Sequence, residues 1–317
     1  MSVPSIAQTL AARSILIVGA PRSGTTWLAK IFDSHPGVLY RHEPDEALPP
    51  TASIQDSVRR WVLQTDPRTA GKRPYFRKSW QSAPAHLLRT ALAYAGAAAG
   101  RFGLPAWPIP DLGRIAGARV VIKSVRLRRG IGDFAAAFPM GKAVLILRHP
   151  SGQVASVMRG TKDGRFDLAE AGTDMPFDEI GAVAFAARFG VDEPSFQRLP
   201  SAAKYAWAWR DFNETALAAI AGRPNARVVV YEDLCKKPVE ETRTLLAFAD
   251  LPWDAQTAAF LARGTTHDGQ AGYYSVVQNS IAAADRWRTT MSPSDQDAVR
   301  AVVTGSPLAA YWRDLSP

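Results

Sequence analysis

The residues of this chain best arranged for chemistry are Pro21-Arg22-Ser23-Gly24-Thr25-Thr26-Trp27, with Gly19 and Gly24 standing five apart. The run follows a short apolar stretch, Ile15 to Val18, and opens a helical pattern from about Thr25 to Ser34. A strand that ends here wraps its backbone N–H groups toward the start of a helix, where open N–H groups and the helix dipole hold an anion. Gly24 permits close backbone approach, and the hydroxyls of Ser23, Thr25 and Thr26 add donors. The nucleoside-triphosphatase motif G-x-x-x-x-G-K-[ST] carries a lysine for the β- and γ-phosphates, whereas Gly24-Thr25-Thr26 stands here and the basic residue is Arg22, before the glycine. That departure disfavours a kinase or ATPase and leaves a different phosphate-bearing ligand; the plain alternative is an ordinary glycine-containing turn between strand and helix.

A second set of polar residues falls at the ends of other apolar runs. Leu145-Ile146-Leu147-Arg148-His149-Pro150 reads as a strand ending in a base, with proline at a helix start, and Ser156 follows Arg148 by eight residues. Arg148 and Ser156 either converge on one phosphate or remain a solvated strand-end charge and a helix hydroxyl. Lys123 ends the run Val120 to Ile122, at the edge where a parallel sheet presents its catalytic groups, unless it is merely a solvated strand-end lysine. His42 and Glu43 lie just beyond the short run Val38 to Tyr40, within reach of the phosphate-loop helix in sequence. The five histidines and the lone Cys235 show no clustered metal-ligand spacing, so no metal is expected.

Positioning these residues needs several buried strands. Ile15 to Val18, Val38 to Tyr40, Val120 to Ile122, Ala143 to Leu147 and Val228 to Tyr231 are nearly all apolar, as strands covered on both faces are. Helical patterns separate them over roughly Ser151 to Arg159, Ala202 to Ile220 and Val239 to Ala249. The alternation predicts an α/β protein: a three-layer, P-loop-like fold with a central parallel sheet of about five strands. The 317 residues read as one domain, with excursions at about 45–115 and 160–200 that shape an acceptor pocket over the strand ends.

The formal net charge of +9 favours anionic partners. Basic residues are spread rather than packed into one tract, and no zinc-finger spacing or recognition-helix signature occurs, which argues against nucleic acid. One cysteine allows no intrachain disulfide, and no apolar secretory core follows a basic N-terminus; both point to a cytoplasmic location. Leu87 to Leu104 is interrupted by Arg89 and Arg101 and is too short to span a bilayer. It reads as a core helix or as a helix making peripheral membrane contact.

The loop resembles that of the sulfotransferases that use 3′-phosphoadenosine 5′-phosphosulfate (PAPS), where P-[KR]-S-G-T-T-W/L binds the 5′-phosphosulfate. The resemblance implies that Arg22, Ser23, Gly24, Thr25 and Thr26 hold the 5′ end of the donor and that Trp27 lies against the adenine. Arg148, Pro150 and Ser156 match the family's R-x-P-x5-S element, which implies that Arg148 and Ser156 take the 3′-phosphate. Val230-Tyr231-Glu232-Asp233-Leu234 is similar to the family's Y-E-D-L element, implying Tyr231 near the adenine. Asn279-Ser280 and Trp287-Arg288 resemble the closing segment of the carbohydrate members, with Ser280 and Arg288 over the donor phosphate; Arg286 and Arg288 read equally as surface charges.

The chemistry that the resemblance implies is sulfuryl transfer. Charge builds on the leaving oxygen, and fixed cations there, Arg22 and Lys123, stabilise the transition state. A hydroxyl acceptor must also lose its proton to a base. The cytosolic small-molecule members place a histidine two residues after the lysine, but here that position is Val125. The run His35 to Pro44, ending Glu43-Pro44, is similar to the carbohydrate members, which implies Glu43 as base, with His42 as its rival. Burial raises a carboxyl pKa, and Arg41 or Lys123 lowers it. The expected acceptor is a hydroxyl on a glycan or glycoconjugate, ahead of a small alcohol, phenol or lipid. Arg126, Arg128 and Arg129 suit an anionic acceptor or face bulk water. A non-enzymatic module binding nucleotide or polyanion is the reading from another class.

Overall fold

The computed structural model describes residues 6–47, 49–63, 118–164, 178–266 and 280–315. Five parallel strands form its sheet: β1 (Ile15–Val18), β2 (Val38–His42), β3 (Arg119–Ser124), β4 (Lys142–Leu147) and β5 (Ala226–Val230), in the order β2-β3-β1-β4-β5. The N-terminal helices are α1 (Ile6–Ala12), α2 (Thr25–Ser34), α3 (Pro44–Ala47) and α4 (Ile54–Leu63). The central ones are α5 (Gly130–Ala137), α6 (Pro150–Lys162), α7 (Glu179–Ala187), α8 (Glu193–Gln197) and α9 (Ser201–Ile220). After β5 come α10 (Tyr231–Lys236), α11 (Pro238–Phe248), α12 (Ala255–Thr266), α13 (Ser280–Asp285), α14 (Trp287–Thr290) and α15 (Pro293–Val303).

The period-2 geometry of β1 explains the three layers. Leu16 and Val18 face a core built with Trp61 of α4, Ile131 and Phe134 of α5, and Trp209 and Phe212 of α9. Ile15 and Ile17 face the opposite core, built with Leu28 and Phe32 of α2, Leu245 and Leu246 of α11, and Phe260 of α12. Every residue of β1 is fully buried, so the strand has no polar face and reads as a continuous apolar run.

The expected fold is therefore the observed one, with shifts at element ends. The fifth strand runs Ala226–Val230, and Tyr231 opens α10, whose first turn carries Glu232 and Asp233 where the helix dipole favours carboxylates. The helix after β4 begins at Pro150, which supplies a preset φ at the first helical position. The two excursions contain regular structure that their composition hides. In α4, Val58, Trp61 and Val62 are core residues. Both α7 and α8 start at aspartates, Asp178 and Asp192, whose side chains accept from the backbone N–H of Gly181 and Ser195. Residues 64–117, with the apolar stretch from Leu87 to Leu104, lie outside the described residues, as do 165–177. Among the described residues no helix is long and apolar enough to cross a membrane.

Candidate active site

The strand, turn and helix around Gly24 form as the spacing predicts. Gly24 is the N-cap of α2 with φ +95°, and it supplies no side-chain cap, so the first-turn N–H groups of Thr25, Thr26 and Trp27 lack intrahelical partners. A side chain at position 24 is doubly excluded. The left-handed backbone disfavours it, and a Cβ there would lie 2.4 Å from the ring of Tyr231. Ser23 is fully buried, and its Oγ has no hydrogen-bond partner, an orphaned donor at the turn before α2.

Two long-range contacts tie this loop to the end of β4. Arg22 Nε donates to Ser156 Oγ at 3.3 Å, and Arg148 Nη1 donates to the carbonyl of Arg22 at 2.9 Å. Arg148 also donates to the carbonyl of Ala283 in α13, while its Nε is buried without a partner. Its guanidinium lies 4.7 Å from the centre of the Tyr231 ring. Tyr231 in turn meets Trp27 edge-to-face at 6.0 Å. Burial raises the Tyr231 phenol pKa, and its hydroxyl is bonded to Cys235 beneath the loop. Arg22, Ser23, Gly24, Trp27, Arg148, Ser156 and Tyr231 thus form one connected cluster.

The carboxylate and the lysine meet by register. His42 pairs with Lys123 in the β2–β3 ladder, so Glu43, the next residue, falls at the sheet edge beside it. The Glu43 N–H donates to the Lys123 carbonyl at 2.9 Å, and Lys123 Nζ donates to Glu43 Oε1. Lys123 is 3% exposed and the Glu43 side chain 21%. Burial raises the Glu43 pKa, but the charge and hydrogen bond of Lys123, helped by His42 and Arg126, outweigh it and hold the carboxyl below its ordinary range. Burial pushes the Lys123 ammonium pKa down against the pull of Glu43 and Asp45, and Arg22 presses it further. Lys123 therefore links Glu43 and Arg22, paired with the first and within the field of the second.

Arg41 is directed to backbone carbonyls: it is buried and donates to those of Tyr40 and Val62. His42 Nδ1 is bonded to the Tyr40 hydroxyl at 2.6 Å.

Two of the expected site residues have unstrained alternatives denied to them. Among the described residues, Arg22 (φ 69°), Glu43 (φ 44°) and Asp250 (φ 52°) are the non-glycine residues with left-handed backbone. Each such residue costs on the order of 1–3 kcal/mol, and such strain concentrates where geometry is functionally constrained.

The closing segment is partly assembled. Trp287 stacks on His149 at 4.4 Å, and Gly152 faces Trp287, where a Cβ would lie 3.2 Å from the indole. Arg288 is half-exposed, pairs with Asp285 and Asp314, and lies over Trp287. Ser280 begins α13, with its side chain outside the described residues.

Residues given no role in the sequence readings also lie at the site. Asp45 is buried, accepts from Ser124 Oγ at 2.7 Å, and has a partnerless Oδ1; burial raises its pKa. Its place two residues after Glu43 was the only available signal. Glu232 accepts from the His149 N–H and from Trp312 Nε1, fixing the turn after Arg148. A cavity of about 500 Å³ opens beside the loop at the carboxyl edge of the sheet, lined among others by Pro21, Val125, Arg128, Gln153, Trp209 and Asp211. Its walls come from α6, α9 and the turn after β3, and no local pattern announces that these elements converge.

The family model described as the sulfotransferase family matches residues 14–255, and the chain belongs to that family. Carbohydrate sulfotransferase 1 of Mus musculus is 36% identical over 67 residues, which cover 20% of this chain and 16% of that protein. The Homo sapiens protein is 34% identical over the same length and shares. The match thus spans about a sixth of the curated relatives' length. Among solved structures, the sulfotransferase domain from the curacin biosynthetic pathway has a TM-score of 0.48 at 15% identity, covering 91% of this chain and 96% of that one. Mouse sulfotransferase SULT7A1 complexed with PAP has a TM-score of 0.45 at 13% identity, covering 93% and 84%.

Proposed function

We propose that this chain transfers a sulfuryl group from PAPS to an acceptor hydroxyl on a glycan or glycoconjugate, with Glu43 as general base. The single observation that carries the reading is the junction of Lys123 and Glu43 at the sheet edge, with Lys123 in the field of Arg22. A pure anion-binding module needs the cations but has no use for a strained, ionised carboxylate among them.

The residues present fit the donor. The open first turn of α2 and the orphaned Ser23 Oγ suit the 5′-phosphosulfate, with Arg22, Thr25 and Thr26 around it. Arg148, with an orphaned Nε, and Ser156 suit the 3′-phosphate that distinguishes PAPS from ATP. Trp27 and Tyr231 carry the adenine side, Tyr231 from beneath the loop, and Ser280 and Arg288 belong to the segment that closes on the donor. The donor supplies the sulfuryl group, and the bridging oxygen leaves with its electron pair on the bisphosphate.

Glu43 accepts the acceptor's proton as the new S–O bond forms. Lys123 hydrogen-bonds the bridging oxygen as the old S–O bond breaks, and its turn from Glu43 toward that oxygen frees the carboxylate for the proton. Arg22 stabilises the same developing charge. The products are a sulfate ester and the 3′,5′-bisphosphate. The single Cys235, which allows no intrachain disulfide, supports a cytoplasmic setting.

The test is a thermal-shift series with 3′,5′-bisphosphate, ATP and GTP, followed by labelled-sulfate transfer into a hydroxyl library. Stabilisation by the bisphosphate alone, with transfer abolished in Glu43→Ala, supports the reading. No response to the bisphosphate overturns it.

A further inference from the structure

The cavity beside the loop differs from what the basic composition suggests. Arg128, one of the residues expected to suit an anionic acceptor, is held between two carboxylates: its Nη2 lies 3.0 Å from Asp178 Oδ2 and 3.3 Å from Asp211 Oδ2. The clamp is closely built. Asp178 also accepts from the Gly181 N–H at 2.8 Å, and a Cβ at Gly181 would lie 2.6 Å from that carboxylate and 2.9 Å from Arg128. Arg126 pairs with Glu46 at 3.6 Å, and the exposed Arg129 acts on Asp211. Among the described residues that line the cavity, two arginines, Arg126 and Arg128, stand against two carboxylates, Asp178 and Asp211, so this wall carries no net positive charge. The remaining wall is apolar or neutral, with Val125, Ala208 and Phe212 beside Gln153. Gln153 is 2% exposed, and its carboxamide oxygen has no hydrogen-bond partner. That oxygen is an acceptor, so a hydroxyl donor can satisfy it and a carboxylate oxygen cannot.

We infer that this cavity receives the acceptor and that the part it encloses is an uncharged, hydroxyl-bearing group rather than an acidic one. In the described wall an anion meets Asp178 and Asp211 beside an arginine that both already hold, and like-charge juxtaposition is how binding sites reject a wrong partner. The volume suits a compact moiety such as one or two sugar rings or an aryl alcohol, within the usual range for small-molecule sites. This inference rests on the sulfotransferase reading and narrows its acceptor.

The test uses pairs that differ in charge but keep every hydroxyl: 4-nitrophenyl β-D-glucuronide and its methyl ester, and 3-(hydroxymethyl)benzoate and its methyl ester. With the full chain and PAPS, the esters should show kcat/KM at least about tenfold above the acids. Asp211→Asn removes one of the two carboxylates on Arg128, leaves the wall with a net positive charge, and should lower that preference about tenfold. Asp178→Asn keeps the helix cap, is the milder change, and should act in the same direction. Acids preferred over or equal to esters, or a preference unchanged in both variants, overturns the inference. So does transfer to neither pair while the bisphosphate still stabilises the protein. Loss of the bisphosphate response itself marks failure of the underlying reading instead.

Discussion

Replacing Glu43 with glutamine separates catalysis from architecture at the centre of the site. The carboxamide keeps the size and one acceptor oxygen but cannot take a proton at neutral pH. A positioned general base contributes about 10²–10⁴ in rate, equivalent to a barrier increase of roughly 3–5.5 kcal/mol. A separate structural cost arises because Lys123 is 3% exposed and loses its ionic partner. With Glu43 itself one-fifth exposed, that cost is about 2 kcal/mol. Three measurements resolve these effects: kcat for labelled-sulfate transfer, bisphosphate affinity by calorimetry, and the urea midpoint.

Glu43→Gln should lose kcat by the stated factor, keep bisphosphate affinity within about threefold, and unfold at lower urea. Adding Lys123→Met removes the uncompensated charge and should restore the urea midpoint without restoring turnover. A kcat within about tenfold of the parent refutes Glu43 as base. The pH dependence follows from the lowered Glu43 pKa. The ionised form is already complete at neutral pH, so kcat/KM should show no acid limb from Glu43 above the ordinary glutamate pKa of about 4.3. The stability that the pair contributes is present above that value and is lost only as pH falls through the lower folded pKa.

Arg148→Ala should weaken bisphosphate binding by about 10–100-fold and the 5′-monophosphate much less, because a charge-assisted bond to the 3′-phosphate is lost; equal loss for both nucleotides would contradict the 3′-phosphate assignment. Gly24→Ala should abolish bisphosphate stabilisation and cost at least about 1–3 kcal/mol in unfolding experiments, through its left-handed backbone and the Tyr231 ring; an intact bisphosphate response would rule out a cradle at this turn. His149 is 2% exposed, and burial pushes its pKa down to about 4 despite Asp314. The unfolded chain therefore binds a proton that the folded one refuses between pH about 6.5 and 4, and stability should fall by about 3 kcal/mol across that window. His149→Phe should flatten the fall, and an unchanged pH profile would show that His149 is not its source.

The motif-bearing half of the site was legible in the sequence because its chemistry is local. A strand end, a glycine and three hydroxyls in seven residues define an anion cradle wherever they occur, and the fully apolar strands declared a sheet covered on both faces. Legibility failed where residues act through neighbours distant in the chain. Tyr231 read as a strand-end aromatic beside a ligand, yet it opens a helix and supports Arg148 and Gly24 from below. The basic run from Arg126 to Arg129 suits an anionic acceptor or bulk water by sequence, whereas in the fold Arg128 is held by Asp178 and Asp211, some 50 and 80 residues on. The excursion at 160–200 hid two capped helices because Gly and Asp serve caps as well as loops.

By itself the sequence determined the phosphate loop, the strand-end bases and the layered α/β plan, since each depends on contacts within a few residues or on periodicity. Only the tertiary structure decided that Lys123 and Glu43 meet, that Arg22 and Arg148 share Ser156's end of the site, and that the cavity beside them is charge-balanced. Strand register and helix packing set those distances, and both emerge from the whole core rather than from any local run of residues.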